Sequence, residues 1–135
     1  QKTTLENNYN SLGIENEIFN FSHNLLNYFS RVDFTITRSG SSMLAELLNC
    51  NIPIISIPLP NSVDDHQLKN AKYFEKKGYS FLIEESKIEN NLFSLIKSIH
   101  KDKGLLNQIK IKQREYSDKQ VFEKINIQIK KLINE

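Results

Sequence analysis

The chain has 135 residues, 39% apolar and 25% charged, which is enough for one hydrophobic core and argues against a multidomain machine, a disordered chain or a low-complexity one. A mean hydropathy of −0.48, and a longest nearly apolar run (52–60) that contains all three prolines, exclude a spanning helix in the sequence. The formal charge of +2 is uneven: residues 1–85 carry 7 basic and 10 acidic groups, residues 86–135 carry 11 and 6.

Leu5, Tyr9 and Leu12 recur at helical spacing and stop at Gly13, a good residue for a helix C-terminus. Residues 17–21 read as a short strand, and Leu25, Leu26, Phe29 and Val32 as one helical face. The β-branched and aromatic run 33–37 predicts a strand. After Gly40 a helix is predicted over 42–50, carrying Met43, Leu44, Leu47 and Leu48.

Residues 53–57 are nearly continuously apolar, the pattern of a strand buried on both faces of a parallel sheet. A loop follows over 58–65, and Asp64 or Asp65 is placed to cap a helix reaching about residue 77. Gly78 ends it, 79–83 is the next strand, and helices are predicted over 88–100, 104–116 and 119–134. Strand and helix alternate every 20 to 25 residues or so, the rhythm of βαβ units. The class is therefore α/β, a Rossmann-like doubly wound parallel sheet with extra C-terminal helices, the last of which is expected to leave this sheet and pack elsewhere.

Cys50 is the only cysteine, so no intrachain disulfide can form, and a reducing, cytoplasmic compartment is expected. By itself Cys50 reads as a buried, inert thiol, and His23 and His100 as surface residues. The N-terminus shows no signal-peptide core. The basic C-terminal third reads as solvated helix faces, with contact to an anionic membrane as the alternative. No aromatic-basic interleaving for stacking bases is present, so nucleic acid is not the expected partner.

In doubly wound sheets ligands bind outside the carboxyl ends of the strands. Two loops qualify. Thr37-Arg38-Ser39-Gly40-Ser41-Ser42 leaves a strand and opens a helix. Gly40 would allow a tight turn, and the amides of Ser41, Ser42 and Met43 would sit unpaired at a helix N-terminus, an anion site. Glu46, one turn further in, can accept two vicinal hydroxyls at ribose distance, so the pattern fits a nucleotide. A serine-rich cap followed by an ordinary exposed glutamate has the same spacing.

The second loop, 58–67, is rich in polar groups able to read sugar hydroxyls, with His66 and Gln67 at the next helix start. Asp64, Asp65 and His66 could also hint at a metal, but three adjacent residues converge poorly on one ion, and no metal is expected. A Ser41–His66–Asp64 triad is a thin alternative, because no nucleophile elbow is present.

Taken together, Arg38-Ser39-Gly40-Ser41-Ser42-Met43-Leu44-Ala45-Glu46, then Ile52-Pro53-Ile54, Pro58-Leu59-Pro60 and Asp64-Asp65-His66-Gln67 with Asn70-Ala71, resemble the MurG family of UDP-N-acetylglucosamine glycosyltransferases. The likeness is to the C-terminal, donor-binding half of a two-domain GT-B fold and runs from about residue 9 to 133. It implies a single nucleotide-sugar-binding domain over 1–135, a fragment whose acceptor-binding N-terminal half lies outside this sequence. It implies transfer of N-acetylglucosamine from UDP-N-acetylglucosamine to undecaprenyl-diphosphate-linked N-acetylmuramoyl-pentapeptide, as in lipid II synthesis. Transfer would occur with inversion and without a cofactor, at the cytoplasmic face of the plasma membrane.

Carried over by position, Gly40, Ser41, Ser42 and Met43 would meet the diphosphate and sugar through backbone amides, and Glu46 the ribose. His66 and Gln67 would face the transferred sugar, and Arg38 would support the loop or the phosphates. Phe21 and Ser22 match the segment that contacts uracil. Met43 departs from a usual threonine, so only the backbone part of that phosphate contact carries over. Ser22 departs from a usual apolar residue, which removes van der Waals support for uracil. The resemblance places no catalytic residue in this chain, and the general base would come from the acceptor half. Two other readings stay open: the donor subunit of a different UDP-sugar transferase, and a non-catalytic anion- or protein-binding module.

Overall fold

The computed structural model describes residues 2–116 and 118–133, and for 118–121 the backbone only. The chain divides into two compact units, Gln1–Arg31 and Val32–Glu135.

In the first unit, α1 (Lys2–Ser11) ends as its sequence dictates. Gly13 takes φ +66°, its N–H bonds the Asn10 carbonyl at 3.0 Å and the Ile14 N–H bonds that of Tyr9 at 3.0 Å. This is the paired closure that a left-handed residue permits after a helix. The short α2 (Leu25–Phe29) follows, with Val32 beyond its end. The predicted strand over 17–21 does not form. A strand exists only where another supplies its ladder, and the described sheet contains three strands, none from this segment. Its side chains instead engage α2: the Tyr28 hydroxyl donates to Glu17 Oε1 at 2.6 Å, and the Phe19 and Tyr28 rings lie 5.0 Å apart.

The second unit carries the sheet. Strands β1 (Thr35–Thr37), β2 (Ile54–Ser56) and β3 (Ser80–Leu82) are parallel in the order β1-β2-β3, with Thr35 opposite Ile54 and Ile54 opposite Ser80. Helix α3 (Ser41–Asn49) links the first two, and α4 (His66–Lys76), entered by a 3₁₀ turn at Val63–Asp65, links the second pair. After β3 come a 3₁₀ turn at Glu85–Lys87 and helices α5 (Ile88–Lys101), α6 (Gly104–Arg114) and α7 (Asp118–Ile133).

Every residue of β2 is buried, as the apolar run predicts for the central strand. Alternation then sorts the two faces. Ile55 packs in a cluster with Ile57, Ile83, Ile99 and Leu106, with Phe81, Leu92 and Leu95 against it, which places α5 and α6 on that side. Ile54 and Ser56 face the other way, toward the side that right-handed crossovers assign to α3 and α4. There the buried stripe of α3 is Leu44, Leu47 and Leu48, and α4 buries Ala71. Cys50 is exposed, contrary to the sequence expectation, because it follows the last turn of α3 on the side away from that stripe.

Two further helices end with the same paired closure. In α3 the left-handed residue is Asn51 (φ +56°), with Asn51 and Ile52 N–H groups bonded to Leu48 and Leu47 at 3.0 Å each. In α4 it is Gly78 (φ +75°), with Tyr79 N–H on the Phe74 carbonyl at 2.9 Å and the two rings 5.9 Å apart. A Cβ on Gly78 would also meet Lys112 Cγ at 3.2 Å. Gly78→Ala is therefore expected to lower stability by about 1–2 kcal/mol, seen as a lower urea midpoint at unchanged slope. The buried Gln113 of α6 fastens the lower ends of β2 and β3, its Nε2 donating to the Ile52 and Tyr79 carbonyls at 2.9 Å each. No helix among the described residues is long and apolar enough to cross a membrane.

Candidate functional site

Both predicted loops leave the carboxyl ends of their strands, and the structure brings them together. The junction is Ser39, which is fully buried and has every polar group engaged. Its N–H donates to Gln67 Oε1 at 3.2 Å, its carbonyl accepts from Asn70 Nδ2 at 3.1 Å, and its hydroxyl lies 2.7 Å from that of Ser56 on β2. Gln67 Oε1 also accepts the Leu59 N–H at 3.0 Å, so one amide oxygen ties the β1–α3 loop to the β2–α4 loop. With its oxygen committed twice, Gln67 has only Nε2 left to offer, as a donor.

Immediately after Ser39, Gly40 is the N-cap of α3, with φ −65° and ψ +135°. The sequence reading has Gly40 allowing a tight turn, and the conformation found there is one that any residue adopts. Space is what the missing side chain provides: a Cβ built on Gly40 would meet nothing within 4 Å. No side chain caps the helix, and the first intrahelical bond is from Leu44 N–H to the Gly40 carbonyl at 3.0 Å. The N–H groups of Ser41, Ser42 and Met43 thus have no acceptor among the described residues, and they stand at the positive end of the helix dipole. Ser41 and Ser42 are exposed and Met43 is half-buried. Glu46 is exposed on the face of α3 shared with Ser42, one turn from those amides.

The entry to α4 differs from the predicted aspartate cap. Asp65 occupies the N-cap position but makes no side-chain cap bond; it and Asp64 are both left-handed, at φ +52°. Ser62 supplies the capping group, its hydroxyl accepting the Gln67 N–H at 3.2 Å. Aspartate tolerates this backbone better than most residues, and two in succession at a loop end mark a constrained turn. Beside it, exposed His66 donates from Nδ1 to the Val63 carbonyl at 2.8 Å, which leaves Nε2 as the ring's other polar atom.

Arg38 is engaged by groups beyond β2 and β3. Its guanidinium pairs with Glu85 beyond β3 and lies 3.5 Å from the Pro58 carbonyl beyond β2. Neighbouring Glu84 is taken by Lys87 at 2.9 Å, and that ammonium holds its carboxyl below the usual carboxylate range. A cavity of about 420 Å³ opens between Pro58, Leu59, Pro60 and Asn61 on one side and Glu84, Glu85 and Ser86 on the other.

The remaining two sequence candidates lie in the first unit. Phe21 is 73% exposed, with its ring edge-on to His23 at 4.7 Å. Ser22 directs its hydroxyl to the Asn24 N–H at 3.2 Å. Sequence reasoning missed the bracing roles of Ser39, Ser56 and Asn70, and missed Glu85. The one legible sign was Ser56, a lone hydroxyl inside an otherwise apolar strand. Glu85, 47 residues from its partner, left none.

A parallel sheet flanked by helices, with an uncapped helix start at a strand's carboxyl end, defines a Rossmann-like α/β domain. The chain belongs to glycosyltransferase family 28: residues 1–130 match the Glycosyltransferase family 28 C-terminal domain. It is 33% identical over 132 residues to the UDP-N-acetylglucosamine--N-acetylmuramyl-(pentapeptide) pyrophosphoryl-undecaprenol N-acetylglucosamine transferase of Pelagibacter ubique, covering 94% of this chain and 36% of that protein. It is 36% identical over 102 residues to the enzyme of the same name from Leptospira interrogans, covering 75% and 28%. The crystal structure of Acinetobacter baumannii MurG shares the fold, with a TM-score of 0.65 at 24% identity over 75% of this chain and 29% of that one. The chain spans about a third of the length of these relatives.

Proposed function

We propose that residues 1–135 serve as the nucleotide-sugar-binding domain of an inverting transferase that moves N-acetylglucosamine from UDP-N-acetylglucosamine to undecaprenyl-diphosphate-linked N-acetylmuramoyl-pentapeptide. The observation that carries this is the start of α3: three unpaired N–H groups, open space over Gly40 and an exposed carboxylate one turn on. The names of the relatives supply the substrates.

On this reading the amides of Ser41, Ser42 and Met43 hold the diphosphate, and Glu46 accepts the two ribose hydroxyls. His66 and Gln67 meet the sugar, the first as acceptor through Nε2 and the second as donor through Nε2. Arg38 supports the loop. In the reaction the acceptor hydroxyl oxygen bonds to the anomeric carbon from the face opposite UDP, and the bond from that carbon to the diphosphate oxygen breaks. The hydroxyl proton passes to a base in the acceptor half, and the helix start stabilises the charge that develops on leaving UDP. The work would be done at the cytoplasmic face of the plasma membrane.

Titrating UDP into the folded chain tests the proposal by calorimetry and by amide NMR shifts at Ser41, Ser42 and Met43. Saturable binding with those shifts is expected, and a folded protein that ignores millimolar UDP rules the reading out. Gly40→Ala sharpens the test. Its backbone is allowed and its Cβ meets nothing, so stability should stay within about 0.5 kcal/mol. UDP affinity should fall roughly tenfold, equivalent to about 1.4 kcal/mol, as the methyl enters the ligand's space. Unchanged affinity in this variant would remove the diphosphate from the α3 terminus.

A further inference from the structure

The geometry points to Glu85 as a positioning residue that sets the α3 amides by holding Arg38 across the ends of all three strands. The inference deepens the proposed function and rests on it for the identity of the ligand. Arg38 follows β1, Pro58 follows β2 and Glu85 follows β3, and one guanidinium meets the last two.

The cavity makes this tie consequential. The sheet's last backbone bond between β2 and β3 is from the Ile83 N–H to the Ser56 carbonyl at 3.0 Å. Beyond it residues 58–61 and 84–86 line a common cavity of about 420 Å³. Among the described residues, Arg38 makes the hydrogen-bonded link across that gap. Its backbone adjoins Ser39 and Gly40, so tension or slack in the clamp acts directly on the start of α3. Glu84 does not substitute, being paired with Lys87.

A competing arrangement is possible in chemistry: Arg38 could bind phosphate itself, with Glu85 only drawing it away. The two make opposite predictions. If Glu85 positions, Glu85→Ala weakens UDP about five- to tenfold, leaves uridine unchanged, and accelerates amide exchange at Gly40, Ser41, Ser42 and Met43 in the ligand-free chain. Arg38→Ala does the same, the double variant is no worse than either single one, and Glu85→Gln, which can still accept from Arg38, restores near wild-type behaviour.

Tighter UDP binding in Glu85→Ala overturns the inference in favour of the competitor. Parallel losses of UDP and uridine affinity, or exchange unchanged at the α3 start, overturn it as well. Should the wild-type chain not bind UDP at all, the proposed function fails. The ligand-free exchange rates of Glu85→Ala, Arg38→Ala and Glu85→Gln then decide the clamp by themselves.

Discussion

Glu46→Ala is expected to weaken UDP binding by about 1–3 kcal/mol, the worth of two hydrogen bonds to a carboxylate, or roughly five- to 150-fold in the dissociation constant. Little of this should come from the fold. Glu46 is exposed, lies on the side of α3 opposite Leu44, Leu47 and Leu48, and its carboxylate has no hydrogen bond among the described residues. Alanine is moreover the better helix former, so thermal stability should hold or rise slightly. The check is calorimetry with UDP and with its 2′-deoxy analogue. The wild type should lose affinity when the 2′-hydroxyl is absent, and Glu46→Ala should barely distinguish the two ligands. Equal affinity of Glu46→Ala and wild type for UDP would place the ribose elsewhere and favour a plain anion-binding module.

The largest effect on folding should come from Gln67→Leu. The leucine nearly matches the glutamine in size but removes the oxygen that accepts both the Ser39 and the Leu59 N–H groups. Leaving two backbone donors without an acceptor, one of them on a fully buried residue, should cost about 2–4 kcal/mol, with the lower end applying if water reaches Leu59. That is a large part of the 5–15 kcal/mol typical of a whole domain. Gln67→Glu keeps the acceptor and replaces the outward amide, so urea unfolding should show a much smaller loss while donor binding suffers. If both substitutions destabilise equally, the bridge through Oε1 is not what holds the loops.

Local chemistry made much of the fold legible. The central strand announced itself through 53–57, every helix predicted after Gly40 lies within two residues of its described bounds, residue 134 of the last one lying outside the described residues, and Gly13 and Gly78 marked the ends where left-handed closure occurs. What failed depended on distant partners. Residues 17–21 have strand-like side chains, but a ladder is made by a neighbour, and that information is not local. Asp64 and Asp65 looked like caps because the residue type suits the role; the backbone turned left-handed there and the task fell to Ser62, five residues from the N–H it satisfies. Cysteine is a residue type that favours burial, whereas the angular position of Cys50 past Leu47 and Leu48 decides its exposure.

The candidate site was legible as the two loops that the fold ties together, and less so in what each side chain contacts. The sequence order put Gly40 beside a helix start, but only coordinates show that its backbone conformation is open to any residue and that the space over it is empty of other protein atoms. Arg38 reads equally well from the sequence as a phosphate ligand or a loop support, and its contacts with Glu85 and Pro58 are visible only in three dimensions.

The convergence on Ser39 constrains how such a domain could change its preferences. Gln67 and Asn70 sit on one helix and both grip the residue that precedes the diphosphate cradle, so on the proposed reading the two halves of the donor are recognised by mechanically linked surfaces. A variant reshaped around His66 to accept a different hexose would drag the cradle with it. Altered sugar choice and undiminished grip on the nucleotide should therefore be hard to select together, unless compensating changes arise at position 39 or 56.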